Sequence, residues 1–250
     1  MPGFASLLAA SAVRVASLNM CTDEYLLLLA RPQEIASVSF LSQDPQESPL
    51  WQLARRYHSN RGSLEDVHAQ KPKTVLKMGG GGRATSLIAH RMGIRAIDLR
   101  PASAVDDVAS NFEAVATALG DPERAMPWLK RLARLRATAP MKARDAIWLG
   151  GGGQTIGVPS IGADWMHLAG LAQRPLKGDR ISLETLLVRP PSVLVQSTYR
   201  HGEFSRGAQW LNHPVVRNAR ARRLQADGRA WTCMGPLVIG EIERFRSELR

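Results

Sequence analysis

One segment of this chain occurs twice. Asn60-Arg61-Gly62-Ser63-Leu64-Glu65-Asp66-Val67 runs on to Pro72-Lys73-Thr74-Val75-Leu76. Asp179-Arg180-Ile181-Ser182-Leu183-Glu184-Thr185-Leu186 runs on to Pro191-Ser192-Val193-Leu194-Val195. The two align without a gap at an offset of 119 residues (182 − 63), with Arg61/Arg180, Ser63/Ser182, Leu64/Leu183, Glu65/Glu184 and Pro72/Pro191 identical. So long a period excludes a solenoid and implies two lobes built on one plan.

Each copy reads as a capped helix feeding a buried strand. Ser63 and Ser182 suit the N-cap, where a hydroxyl accepts from an orphan backbone N–H. Glu65 and Glu184 fall in the first turn, where a negative charge complements the helix dipole. Pro72 and Pro191 end the helices, and β-rich runs (Thr74 to Leu76, Val193 to Val195) follow. The residues alone are explained by a shared folding unit. The matched glutamates leave a second role open.

The rest of the chain repeats the alternation. Val13 to Leu18, Ile35 to Phe40, Val75 to Lys77 and Ala96 to Leu99 read as strands; Glu24 to Ala30, Leu50 to Tyr57 and Thr85 to Met92 read as helices. Asn19 to Asp23 reads as a turn and cap, and Leu41 to Pro49 as a polar loop. From Ala104 to Leu119 and from Pro122 to Ala139 the apolar spacing is helical, with Trp128, Leu129, Leu132 and Leu135 on one face. Strand Ala146 to Leu149, helix Trp165 to Leu171, strand Val193 to Gln196, a short helix from His213 and a last helix Leu237 to Leu249 complete the pattern. Such alternation predicts parallel α/β lobes. The expected division is a tail over 1–12, an α/β lobe over 13–105, a helical linker over 106–140 and a second α/β lobe over 141–250.

Composition narrows the function classes. No apolar run reaches the length of a transmembrane helix. The net charge of +11 favours anionic partners. The densest basic cluster, Arg217, Arg220, Arg222 and Arg223, lacks interleaved aromatics and reads as a solvated face rather than a nucleic-acid site. Residues 1–12 resemble the end of a secretory signal without its basic region.

Ligands of open parallel sheets bind beyond the carboxyl ends of the strands. This selects the loops after each strand. Met78-Gly79-Gly80-Gly81-Gly82 and Gly150-Gly151-Gly152-Gly153 lack both the GK[ST] of a P-loop and GxGxxG. They serve equally as close-approach turns. No HExxH or GxSxG occurs, and of six histidines only His201 falls in a strand-end loop. Cys21 and Cys233 also fall in such loops. Apolar packing in a cleft wall is the favoured reading of both, with a bridge across the cleft as the alternative. Met20, Phe40, Met78, Tyr199, Trp231 and Met234 give these loops the aromatic and sulfur content of a pocket for a bulky organic ligand.

The stretches Val13 to Glu24, Ser39-Phe40-Leu41-Ser42, the two Ser-Leu-Glu units and Trp231-Thr232-Cys233-Met234-Gly235-Pro236 together resemble the cobalamin and ferric-siderophore binding proteins of ABC importers. The resemblance runs from about Val13 to the C-terminus. It implies two Rossmann-like α/β lobes bridged by a long central helix, with the ligand held between them. It implies a periplasmic, monomeric, non-enzymatic protein that delivers a corrinoid or ferric chelate to a dimeric membrane permease. No cofactor, no protein-held metal and no nucleic-acid partner is expected. Asn19, Met20, Cys21, Phe40, Met78, Gly79, Gly152, Gln154, Tyr199, Arg200, Trp231, Cys233 and Met234 are the expected ligand contacts. Glu65 and Glu184 are the expected permease-docking residues. The rival expectation is an α/β enzyme holding a phosphorylated or nucleotide ligand at the glycine loops. It would show one continuous sheet.

Overall fold

The computed structural model describes residues 13–79, 82–199 and 205–250, with the backbone only for Gly82 and Arg83. The first half contains β1 (Val15–Ser17), α1 (Met20–Leu29), β2 (Ile35–Ser39), α2 (Trp51–Ala54), β3 (His58–Asn60), α3 (Leu64–His68), β4 (Thr74–Met78), α4 (Gly82–Arg91) and β5 (Arg95–Leu99). Then come α5 (Val105–Ala118) and α6 (Met126–Ala137), the latter preceded by a 3-10 turn, Pro122–Ala125. The second half contains β6 (Arg144–Leu149), α7 (Ile161–Leu168), β7 (Leu171–Gln173), α8 (Leu183–Val188), β8 (Val193–Thr198), α9 (Arg206–Leu211), α10 (Pro214–Arg217), β9 (Arg222–Asp227) and α11 (Leu237–Leu249).

The described residues form two sheets, not one. The first has order β3-β2-β1-β4-β5 and the second β7-β6-β8-β9. Every strand pair is parallel. Four strands of the first sheet, β2-β1-β4-β5, match β7-β6-β8-β9 in order, and β3 is an added edge. The duplicated segment is α3–β4 in one sheet and α8–β8 in the other. Ser63 accepts from the amide of Asp66 at 3.2 Å, and Ser182 from that of Thr185 at 3.1 Å, so both caps form as the sequence implies.

The repeat extends to the packing. Val75 and Leu194 occupy equivalent positions and face the outer helices of their sheets. Leu76 and Val195, one residue on, face the opposite way into the main core. Alternate residues of a strand point to opposite faces, so both faces of each sheet are covered and the strands read as continuous apolar runs. The main core runs through both halves: Tyr25 of α1, Phe112 of α5, Trp165 of α7 and Ile242 of α11 belong to one buried cluster.

Pro122–Ala137 forms a continuous helical rod of about 25 Å, from about 1.5 Å per α-helical and 2 Å per 3-10 residue. Arg124 at its start donates to both oxygens of buried Glu34 at 2.5 and 2.9 Å, tying it to the first lobe. Arg131 donates to both oxygens of Glu243 on α11 at 3.1 and 2.6 Å, tying its middle to the second. Trp128 stacks on Phe112, their centroids 5.1 Å apart.

Several boundaries differ from expectation. The helix expected over Leu50 to Tyr57 is a single turn, α2, followed by strand β3. The helix expected over Trp165 to Leu171 runs from Ile161 to Leu168, and Leu171 begins β7. Arg222 and Arg223 lie in an unexpected strand, β9, where Arg222 is exposed and Arg223 half-buried. The Asn19–Asp23 turn is the start of α1, and Asn19 alone is the cap.

Candidate functional site

The carboxyl ends of the two sheets are laced together by residues of opposite halves. After β1, Cys21 forms a disulfide with Cys233, which follows β9. The favoured expectation of two separate apolar thiols is therefore corrected to a bridge. The Tyr199 hydroxyl, after β8, donates to Glu47, after β2. Arg229, paired with Asp227 at 2.6 Å, donates to the carbonyl of Pro45 at 2.5 Å. These links place the two sets of strand-end loops face to face, which defines an interlobe cleft.

The floor of the cleft is the first turn of α1. Asn19 Oδ1 accepts from the Thr22 amide at 3.0 Å, and Asn19 Nδ2 donates to the Met78 carbonyl at 3.2 Å. One side chain thereby fixes the loops after β1 and β4 to each other. Asp23 is buried and receives the Ser39 amide at 3.0 Å and the Ser39 and Ser42 hydroxyls at 2.5 and 2.6 Å. Desolvation raises its carboxyl from the usual 3.8 to about 7, although these hydrogen bonds pull downward. Glu24 is also buried, and its Oε2 has no hydrogen-bond partner among the described residues. Desolvation, reinforced by neighbouring Asp23, raises its carboxyl well above the ordinary range. A side chain at Gly235, in the other half, would meet Glu24 Oε2 at 3.0 Å. The acidic pair thus lies under the disulfide, where the two lobes touch.

Beside this floor, at the carboxyl end of β6, is a pocket of about 510 Å³ lined by Trp148, Gln154, Thr155, Ile161, Arg180, Met234 and their neighbours. The glycine run shapes it. Gly152 has φ +66°, and its carbonyl accepts from Arg180 at 2.6 Å. Gly153 has φ +79°, and an added Cβ would lie 2.5 Å from the Ile181 carbonyl oxygen. The run is a close-approach turn tied to the second copy of the repeat. The pocket combines a partly aromatic wall of Trp148, Ile161 and Met234 with two exposed charged residues of opposite sign, Asp179 and Arg180.

The expected contact residues divide. Phe40 and Tyr199, on the loops after β2 and β8, are exposed by 51% and 40%. Gln154 and Gly79 are exposed, and Met78, Gly152, Cys21, Cys233 and Met234 are half-buried. Met20 and Trp231 are corrected: both are buried in the core. Trp231 lies between Trp148 and Phe245, 6.1 Å from each, because the chain turns inward to begin α11. Arg200 and His201 lie outside the described residues. Arg180, Trp148 and Thr155 were not expected in the pocket. The position of Arg180 in the repeat, next to a glycine turn, was the available signal for it. Glu65 and Glu184 are exposed on α3 and α8. The backbone amide of Glu184 and the Ser182 hydroxyl hold the Glu184 carboxyl below the usual range. Among the described residues, no group of three or more His, Cys, Asp or Glu is placed to hold a metal ion.

Two parallel sheets, joined by a helical rod and facing each other across a laced cleft, define the fold of the two-lobed periplasmic binding proteins. Solved structures of that fold superpose over nearly the whole chain. The periplasmic heme-binding protein of Pseudomonas aeruginosa does so with TM-score 0.67 at 21% identity, covering 95% of this chain and 92% of that one. The periplasmic heme-binding protein HutB of Vibrio cholerae gives 0.68 at 18%, covering 95% and 98%. The periplasmic vitamin B12-binding protein BtuF of Vibrio cholerae gives 0.59 at 20%, covering 96% and 97%. No protein-family model and no curated protein matches the sequence.

Proposed function

We propose that this chain is the substrate-binding protein of an ABC importer, holding a bulky organic metal chelate in the interlobe cleft. The carrying observation is the meeting of strand-end loops from two matched lobes, with Phe40 and Tyr199 exposed on those loops and, in the second lobe, a pocket of mixed lining that carries Trp148, Met234 and Arg180. Apolar walls with a few convergent polar groups suit a large ring system bearing anionic substituents. The ligand class is a corrinoid, a ferric siderophore or a heme; the heme and vitamin B12 named for the structural neighbours support the heme and corrinoid members of that set. In this reading the chelate carries its own metal, and the protein is not an enzyme.

The disulfide supports an oxidising compartment such as the periplasm. Glu65 and Glu184, exposed at equivalent points of two equivalent lobes, suit arginines on the two subunits of a symmetric permease. The enzyme alternative loses its support, because the glycine runs serve two sheets rather than one.

Trp148 lines the pocket and is the reporter. Titrating hemin, cobalamin and ferric siderophores should give saturable tryptophan quenching with one class, weakened in Trp148→Phe. Silence with all of them would overturn the reading. Glu65→Lys with Glu184→Lys should abolish permease-dependent uptake and leave chelate affinity within about twofold, since exposed charges act locally. Collapse of chelate affinity in that variant would return both glutamates to a folding role.

A further inference from the structure

The two copies of the repeat share a fold but not a surface. On α8, Leu186 is buried, yet Leu187 and Val188 are exposed by 67% and 76%. They border a groove of about 520 Å³ that Pro190, Pro214, Val215 and Arg220 also line. The positions 119 residues earlier are His68, the last residue of α3, and Ala69, its C-cap, both exposed. The same α–β unit therefore folds with a histidine and a small alanine at this place, where α8 carries two branched apolar side chains. The apolar pair on α8 is not demanded by the unit's core, and contiguous exposed apolar surface marks an interaction site.

Charge identifies the partner. Between Ile181 and Arg223 the sequence has seven arginines against two acidic residues, Glu184 and Glu203, and no lysine or aspartate. Arg189, next to Val188, is exposed, and so are Arg217 and Arg220, which flank the groove from α10 and the turn after it. An apolar tip ringed by arginines matches an anionic lipid surface: the branched side chains enter the headgroup boundary and the guanidiniums pair with phosphates. No described helix is long and apolar enough to cross a membrane, so such contact is peripheral.

We propose that the α8–α10 tip of the second lobe rests on anionic phospholipid through Leu187 and Val188, with Arg189, Arg217 and Arg220 on the headgroups. This rests on the proposed delivery to a permease, which brings Glu184 on the same helix to the membrane.

The test is cosedimentation with phosphatidylcholine vesicles with and without phosphatidylglycerol, at low and at raised salt. Wild-type protein should bind the anionic vesicles, bind the neutral ones at least about tenfold less, and lose affinity with salt. Leu187→Ser with Val188→Ser should weaken anionic binding by about tenfold or more, from the apolar surface lost. Arg217→Glu with Arg220→Glu should weaken it similarly. Absence of wild-type binding would overturn the proposal. So would an unchanged Leu187/Val188 variant, which would mean adsorption by net charge elsewhere. A dimer in solution that the Leu187/Val188 variant dissolves would assign the patch to a second copy instead, and also overturn it. Vesicle binding needs no chelate, so a protein that binds chelate but not vesicles sinks this inference alone.

Discussion

Removing the disulfide, by Cys21→Ser with Cys233→Ser, offers the largest calculable perturbation of this molecule. The bridge joins residues 212 apart in sequence. In the chain-entropy treatment, closing so long a loop in the unfolded state is worth about 5 kcal/mol at 25 °C, of which about 2–4 is commonly realised. For a chain of this size the unfolding entropy is about 0.5 kcal/mol per kelvin, so the melting temperature should fall by about 4–8 °C. The denaturant m-value should rise, because the uncrosslinked unfolded chain exposes more surface. The assay is circular-dichroism melting of oxidised wild type, wild type with dithiothreitol and the double variant. The last two should coincide, well below the first. A double variant melting within about 1 °C of oxidised wild type would refute the bridge as a lobe-to-lobe constraint.

Two further outcomes are expected. Asp23 keeps its proton in the folded state up to about 7, whereas the unfolded chain releases it near 3.8. The folded state therefore binds more protons across that window, and stability should fall as pH rises from about 4 to about 7. Glu24, shifted the same way, prolongs the fall. Denaturant melts across this range should show a flatter profile for Asp23→Asn; a parallel one would contradict the buried, neutral carboxyl. Gly153→Ala and Gly178→Ala separate backbone strain from close approach. Both have positive φ, +79° and +63°, but only at Gly153 would the new carbon meet atoms, the Ile181 carbonyl at 2.5 Å and the Trp210 ring at 2.9 Å. Gly178→Ala should cost about 1 kcal/mol and Gly153→Ala about 3 or more by chemical denaturation. Equal costs would show that the turn relaxes freely.

The duplicated unit was legible because its signals are local. A serine three residues before its amide partner, an apolar run and a stopping proline need no knowledge of the rest of the fold. The start of α11 was legible for the same reason, since Pro236 cannot continue a preceding ladder. Three strands were missed on equally physical grounds. His58-Ser59-Asn60 forms the edge strand β3, short and mostly exposed, so no apolar alternation marks it. Leu171-Ala172-Gln173 is too short to interrupt a helical reading. In β9, Arg222, Arg223, Gln225 and Asp227 outnumber buried Leu224 and Ala226, and the strand resembles a solvated face. The cleft was legible as a set of strand ends. Which aromatics reach it was not: Phe40 and Trp231 look alike in sequence, and only packing against Phe245 and Trp148 sends Trp231 inward. Nor can local pattern show that two glutamate-like positions in α1 are buried or that two cysteines 212 residues apart meet.

The lacing of the cleft bears on how such a protein could signal occupancy. Rigid-body opening would have to break a covalent bond between Cys21 and Cys233 and separate Tyr199 from Glu47 and Arg229 from Pro45. The rod adds ion pairs on both sides, Arg124 with Glu34 and Arg131 with Glu243. Arg246 on α11 also donates to the Leu168 carbonyl at 2.6 Å and to the Thr138 hydroxyl at 2.7 Å, so the end of the rod is fixed to the second lobe. With these ties intact, the separation of Glu65 from Glu184 would be set by the fold and would change little on ligand binding. A symmetric permease would find both carboxylates at a constant spacing whether or not the cleft is filled. Discrimination between loaded and empty forms would fall to the strand-end loops that a chelate touches directly, those carrying Phe40, Gln154 and Tyr199. If the proposed function holds, the repeated glutamates would serve docking and the unrepeated loops would serve recognition.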